Sequence, residues 1–187
     1  MSRDALIETP RLALTRPVIT DAPAIFDSYA SDPEVVKYVG FPRHTAITDT
    51  EAFIRYCDDE WARTPAGPLL VWSRSDGRLL GGTGLGFEAG GVVSTGYVLA
   101  RDAWGHGYAT ESLRAMIDLA RRLGVSRLIA RCHPDHRASS HVLEKCGFSL
   151  DAVASEPVYF PNISTSVLID ARRYALELGA HEPGTAA

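Results

Sequence analysis

Trp104-Gly105-His106-Gly107-Tyr108-Ala109-Thr110-Glu111 decides how this 187-residue chain is read. Before it, Val92 to Leu99 is predicted to be a strand. After it, Ala109, Leu113, Met116, Ile117 and Ala120 recur at the spacing of one helix face. Two glycines therefore stand at the turn into a helix. The first amides of a helix have no intrahelical partner and carry the positive end of its dipole. Gly105 and Gly107 have no Cβ, so an anion can approach the bare backbone. The stretch reads as an anion site, most naturally for phosphate.

Two known phosphate loops fit it poorly. A P-loop needs Lys-Ser or Lys-Thr after its last glycine, and none is present. A dinucleotide fingerprint needs a third glycine where Thr110 stands, and its glycines follow the strand at once, whereas Ala100 to Trp104 intervene here. An ordinary glycine-rich turn before a capped helix is the bland alternative, and the octet alone does not exclude it.

Arg101 to Glu111 closely resembles the acetyl-CoA loop of the GNAT acetyltransferases, within them the RimJ/RimL type, which acetylates protein N-termini and other amines. Two further blocks carry the same resemblance, in matching order. One is Glu8-Thr9-Pro10-Arg11-Leu12 with Asp21-Ala22 and Asp32-Pro33-Glu34-Val35. The other is Ala138-Ser139 followed by Val142-Leu143-Glu144-Lys145-Cys146-Gly147-Phe148. The resemblance covers about residues 7 to 170.

The resemblance implies an α/β GNAT fold: a mixed, mostly antiparallel sheet of about seven strands with helices on both faces. The fourth and fifth strands, here 92–99 and 127–132, would splay apart. It implies acetyl-CoA as cosubstrate, with Trp104, Gly105, His106, Gly107, Tyr108, Ala109 and Thr110 in the cofactor loop. Tyr97, Val98 and Leu99 would offer the freed strand edge to the pantetheine arm, which pairs like an added strand.

The remaining elements are read from pattern. Arg11 to Arg16 is a strand. Thr20 caps a helix reaching Tyr29, and Asp32-Pro33 starts another short one. Thr48 or Asp49 caps a helix to Arg63 with Phe53, Ile54, Cys57 and Trp61 along its apolar stripe. Leu69 to Ser73, Leu79 to Phe87 and Val92 to Leu99 make an antiparallel meander, whose middle strand carries Gly81, Gly82, Gly84 and Gly86, a sign of a bulge or close backbone approach. Arg127 to Cys132 should run parallel to its predecessor. A helix over 138–146, strands over 148–155 and 163–169, and a terminal helix over 171–178 complete the order. One domain over 1–178 is expected, with 179–187 a flexible tail.

Composition narrows the function. A net charge of −4 and a pI near 5.8 argue against a nonspecific nucleic-acid partner. Cys57, Cys132 and Cys146 fit no disulfide framework and suggest a reducing compartment. The N-terminus lacks a signal peptide's apolar core, and no apolar run approaches the ~20 residues of a membrane span. A cytoplasmic protein with no membrane partner follows. The acceptor would be a small-molecule or peptide amine, and a homodimer stays open.

Several side chains are candidates for chemistry. Ser139, in the first turn of its helix, is either a cap or, as the resemblance implies, the acid that protonates the departing CoA thiolate. His136 stands where the family usually has an asparagine that contacts pantetheine. Ser94 stands where related enzymes often carry the glutamate that helps deprotonate the amine. Glu88 and Glu156 are the candidate substitutes, with a solvated surface charge as the alternative for each. Without a carboxylate, the enzyme would capture amine that is already neutral. Tyr159 and Phe160 line the acceptor pocket or simply sit in a strand, and Trp61 and Trp72 read as core. Cys132, His133, His136, His141 and Cys146 fit no common zinc template, so no metal is expected. The reading from another class is a CoA-binding sensor that has lost its chemistry.

Overall fold

The strands are β1 (Ile7–Glu8), β2 (Leu12–Thr15), β3 (Pro68–Ser73), β4 (Leu79–Phe87), β5 (Val93–Leu99), β6 (Arg127–Cys132), β7 (Ser149–Tyr159) and β8 (Leu168–Glu177). The helices are α1 (Ala22–Ile25), α2 (Ile47–Arg63), α3 (Tyr108–Arg122) and α4 (Arg137–Lys145). They come from a computed structural model that describes residues 4–179. All eight strands form one sheet in the order β1-β2-β3-β4-β5-β6-β8-β7. Every neighbouring pair is antiparallel except β5 and β6, between which α3 carries the chain.

Leu69, Leu70, Val71, Trp72 and Ser73 follow one another along β3 and are all buried. Successive strand residues point to opposite faces, so both faces of the sheet are covered there. α3 and α4 pack against β2, β4, β5 and β6, and α1 and α2 against β3 and β4. The α3 stripe supplies Leu113, Met116, Ile117 and Ala120 to the core. Each large side chain of this kind contributes roughly 1.5–3 kcal/mol on burial. α2 begins two residues before its expected cap. Asp49 lies in its first turn and accepts hydrogen bonds from the amides of Thr45 (2.8 Å) and Ala46 (3.1 Å).

The expected splay is present. β5 and β6 pair only at Val93 with Leu128 and Ser94 with Ile129, and then run on without pairing to each other. β4 holds β5 along its whole length, from Gly81 opposite Leu99 to Phe87 opposite Val93. A register shift at Val71/Trp72 marks a bulge in β4. Gly81 adopts φ +154° there, and a Cβ on it would lie 2.0 Å from the Val98 carbonyl oxygen. Only glycine lets β4 come this close to the end of β5.

The sheet has one more strand than the seven expected, because the two-residue β1 has too little pattern to read. The 171–178 helix is a correction: that segment belongs to β8. Ala, Leu and Glu are good helix formers, but intrinsic propensity is a small term, and pairing on both sides, with β6 and with β7, outweighs it. β7 also runs on to Tyr159 and β8 starts only at Leu168, so the strand expected over 163–169 is displaced. The helix expected at Asp32-Pro33 is a run of turns. The segment expected as one helix to Tyr29 is a 3-10 turn (Ile19–Asp21), α1, and a widened π turn (Phe26–Ala30), with Asp21 rather than Thr20 accepting from the Val18 amide. Apart from Gly179, the expected tail lies outside the described residues.

Candidate active site

Gly105 and Gly107 both lie in the left-handed region, at φ +77° and +78°, and α3 begins at Tyr108. This conformation turns the chain into the helix without placing a side chain over its first amides. Trp104 anchors the other end of the loop by donating from Nε1 to the Leu99 carbonyl oxygen at 2.8 Å. Arg11 reaches over from before β2. Its Nη1 donates to the His106 carbonyl oxygen at 2.9 Å, and its guanidinium lies 4.7 Å from the Tyr108 ring centroid.

Where β5 and β6 part, a cavity of about 510 Å³ opens through the sheet. Tyr97 and Val98 line one side; Arg131, Cys132, His136 and Ser139 line the other. Tyr38, Phe41, Phe53 and Phe160 make an aromatic wall. The glycine loop and this gap are joined through Leu99, which ends β5 and accepts from Trp104. The arrangement has room for a thiol-bearing arm between the strands and for an amine against the aromatic wall.

Tyr97 does more than offer backbone. Its hydroxyl lies 3.0 Å from Ser139 Oγ and 3.1 Å from the Ser139 carbonyl oxygen. The phenol has one proton; given to the carbonyl, it leaves the Ser139 hydroxyl as donor to Tyr97. Burial pushes the Tyr97 phenol well above its usual range, so it stays protonated.

The candidate carboxylates are both engaged by Arg131. Its two terminal nitrogens meet Glu88 at 2.7 and 2.8 Å, and its Nε meets Glu156, which also accepts from Arg173 at 3.3 Å. Hydrogen bonds from Arg131 hold Glu88 below the ordinary carboxylate range; burial opposes this and a Ser94 hydrogen bond adds to it. Ser94 itself lines the cavity.

The two histidines differ. His133 is buried and its Nδ1 accepts from the Asp135 amide at 3.1 Å. His136 stacks on Tyr38, with ring centroids 4.9 Å apart. Burial pushes both imidazoles below their usual value. Among the described residues, no three His, Cys, Asp or Glu side chains gather where a metal could bind. Phe160 is buried in the cavity wall, whereas the exposed Tyr159 donates to the Thr165 carbonyl oxygen at 3.2 Å. Trp72 is core, and Trp61 is half-buried with its Nε1 on the Pro68 carbonyl oxygen.

The sequence profile of the acetyltransferase (GNAT) domain matches residues 11–149. This chain belongs to the GNAT acetyltransferase family. GNAT enzymes are acetyltransferases that take their acyl group from acetyl-CoA. The uncharacterised N-acetyltransferase p20 of Bacillus licheniformis is 26% identical over 148 residues, covering 78% of this chain and 83% of that protein. Among solved structures, RimL, a ribosomal L7/L12 α-N-protein acetyltransferase in complex with coenzyme A, aligns with a TM-score of 0.76. The two share 19% identity over 90% of this chain and 95% of the other. The ribosomal-protein-S5-alanine acetyltransferase of Vibrio fischeri aligns at 0.77 with 14% identity over 95% and 98%. At these identities the likeness is one of fold. No described helix is long and apolar enough to cross a membrane.

Sequence reading missed the residues that brace the GNAT loop. Glu111 accepts from Thr9 Oγ1 (2.6 Å), the Arg11 amide (2.9 Å) and Arg11 Nε (2.6 Å). Arg101 pairs with Asp32 through two hydrogen bonds, of 2.6 and 3.1 Å. The N-terminal block of the resemblance therefore touches its glycine loop directly. The presence of both blocks in one sequence was the available signal, but their partnership was not.

Proposed function

We propose that this chain is an N-acetyltransferase that moves the acetyl group of acetyl-CoA to a primary amine by direct attack in a ternary complex. The supporting observation is the glycine turn at the α3 N-terminus, opening beside a gap in the sheet that ends at Ser139. The loop 104–110 holds the phosphates of the cosubstrate, and the edge of β5 pairs with its pantetheine arm. Amides near Val98 or Leu99 stabilise the oxyanion of the tetrahedral intermediate. Holding both substrates in the gap supplies much of the rate. Ser139, with Tyr97 behind it, returns a proton to the CoA thiolate. The acceptor is a protein N-terminus or a small-molecule amine, as in the RimJ/RimL type. Two neighbours in fold modify ribosomal proteins. The other reading is a CoA-binding sensor. Its support is that Glu88 and Glu156 are both occupied by Arg131.

Acetyl-CoA should raise the melting temperature, since a ligand at 100 times its Kd stabilises by ~2.7 kcal/mol. Thiol release across a panel of amines, peptides included and products read by mass spectrometry, then separates enzyme from sensor. Stabilisation by NADH and not by CoA would install the dinucleotide reading instead. Ser139→Ala should lower kcat by about 100-fold while changing KM for acetyl-CoA far less. A change confined to the melting temperature would make Ser139 only a structural partner of Tyr97; it is not the cap of α4, whose N-cap position is His136.

A further inference from the structure

We infer that His136 is the proton acceptor for the incoming amine, filling the role that Ser94 cannot fill; the inference rests on the acetyl-transfer reading above. His136 lines the gap beside Ser139, at the turn from β6 into α4. Tyr38 stacks on its ring and belongs to the aromatic wall where the amine would arrive. Among the described residues, no protein group hydrogen-bonds its ring nitrogens, so either nitrogen is available to a substrate or a bridging water.

The competing groups are occupied. His133 accepts the Asp135 amide at Nδ1, which places its proton on Nε2 and leaves it no free lone pair. Glu88 and Glu156 are held by Arg131. The hydroxyl of Ser94 does not ionise near neutral pH.

The surroundings keep His136 neutral. Burial lowers its affinity for a proton and the neighbouring His133 acts in the same direction. The facing groups are Tyr38 from the segment before α2, with Lys37 over its ring (5.2 Å), Cys132 from β6, and Tyr97 from β5 through Ser139. Asp135 is the neighbouring carboxylate and acts on His133. A neutral imidazole is therefore ready to accept at pH 7.

His136 takes one proton from the ammonium and passes it to solvent. The freed lone pair forms the C–N bond as the thioester carbonyl π pair moves onto oxygen. Collapse of the oxyanion breaks the C–S bond, and sulfur leaves with the electron pair. The nitrogen loses its second proton to solvent, and the thiolate gains one from the Ser139 hydroxyl, which is reprotonated from solvent. The products are the acetamide, CoA thiol and one released proton.

The basicity of the amine sets how much of it the base can deprotonate. Against an α-amino group near ~7.7–8.0, an unshifted imidazole at ~6.5 faces a deficit of roughly 15–30-fold; against a lysine near ~10.4 it is roughly 10⁴-fold. The substrate class is α-amines, and lysine side chains should be poor acceptors.

The experiment is the pH dependence of kcat/KM with two α-amines of different pKa, for the wild type, His136→Gln and His133→Gln. The inference requires a rising limb with a midpoint below ~6.5 that is the same for both amines. His136→Gln should lose that limb and about 100-fold or more of kcat/KM at pH 7. It should keep the wild-type thermal shift with acetyl-CoA, and His133→Gln should keep the limb. A midpoint that follows the pKa of the amine overturns the inference in favour of capture of neutral amine. A higher KM for acetyl-CoA with the limb intact makes His136 a pantetheine contact, and a limb lost in His133→Gln moves the role there; either result overturns it. A wild type that binds acetyl-CoA yet acetylates no amine overturns the acetyl-transfer reading as well.

Discussion

Gly107→Val should remove the stabilisation by acetyl-CoA entirely and leave a folded protein. Valine at φ +78° is strained by about 1–3 kcal/mol, against a total stability of ~5–15 kcal/mol for a domain. Inside the protein the new Cβ meets only Arg11 Nη2, at 3.5 Å, which is ordinary contact. The free variant should therefore melt about 2–12 °C lower in a single transition. The bound state is affected differently. On the proposed reading the phosphates approach the bare backbone before α3, and a branched side chain at position 107 would obstruct that approach. Wild type at 100 times Kd gains ~2.7 kcal/mol, or about 5–11 °C; the variant should gain none, and acetyl transfer should fall to background. A variant that keeps the full acetyl-CoA shift would mean that the glycine turn is only a turn.

The parts of the fold that were legible are those whose signal is local. α3 repeats its apolar residues over four turns, and the meander β3 to β5 alternates between turn residues. β8 was misread because its own sequence, Ala171-Arg172-Arg173-Tyr174-Ala175-Leu176-Glu177, contains good helix formers. Its partners decide otherwise: Ala130 lies opposite Tyr174 and Ile129 opposite Ala175 on one side, Leu150 opposite Tyr174 on the other. No window confined to that segment contains this information.

The site divides in the same way. The glycine turn is a backbone demand, and only glycine meets it cheaply, so the residue names reveal it. The sheet gap followed from the resemblance, and the bulge at Gly81 was visible as excess glycine in one strand. Ion pairs give no such sign. Arg131 collects Glu88, 43 residues before it, and Glu156, 25 after it. Arg11 and Glu111 are 100 residues apart. The phenol of Tyr97 on Ser139 spans 42 residues and depends on how far β5 and β6 splay.

Glu111→Ala should lower both stability and affinity for acetyl-CoA, and it tests whether the N-terminal block braces the loop. The half-exposed Arg11 contributes little as an ion pair alone. More is lost at the Thr9 hydroxyl, which accepts from the Leu12 amide at 3.0 Å and gives its own proton to Glu111. A carboxylate in the first turn of α3 also complements the helix dipole. Together these should amount to about 2–3 kcal/mol, a fall of roughly 5–10 °C in Tm. Arg11 would also lose the partner that holds it against the His106 carbonyl, so affinity for acetyl-CoA should fall with stability. Glu111→Gln, which keeps an acceptor without the charge, should lie between. The pH dependence has a definite sign. Burial pushes the Glu111 carboxyl up, but hydrogen bonds from Thr9 and from the amide and side chain of Arg11 outweigh it, so it lies below the ordinary value. Its contribution is therefore complete above the unfolded value near ~4.3 and is lost as pH falls through the folded value. The gap in Tm between wild type and Glu111→Ala should be constant from pH 6 to 8 and should narrow below about pH 4. A gap that persists undiminished at pH 3 would show that the ionised carboxylate is not what carries the contribution, and a variant within about 1 °C of wild type at pH 7 would show that the contact between the N-terminal block and the loop contributes little.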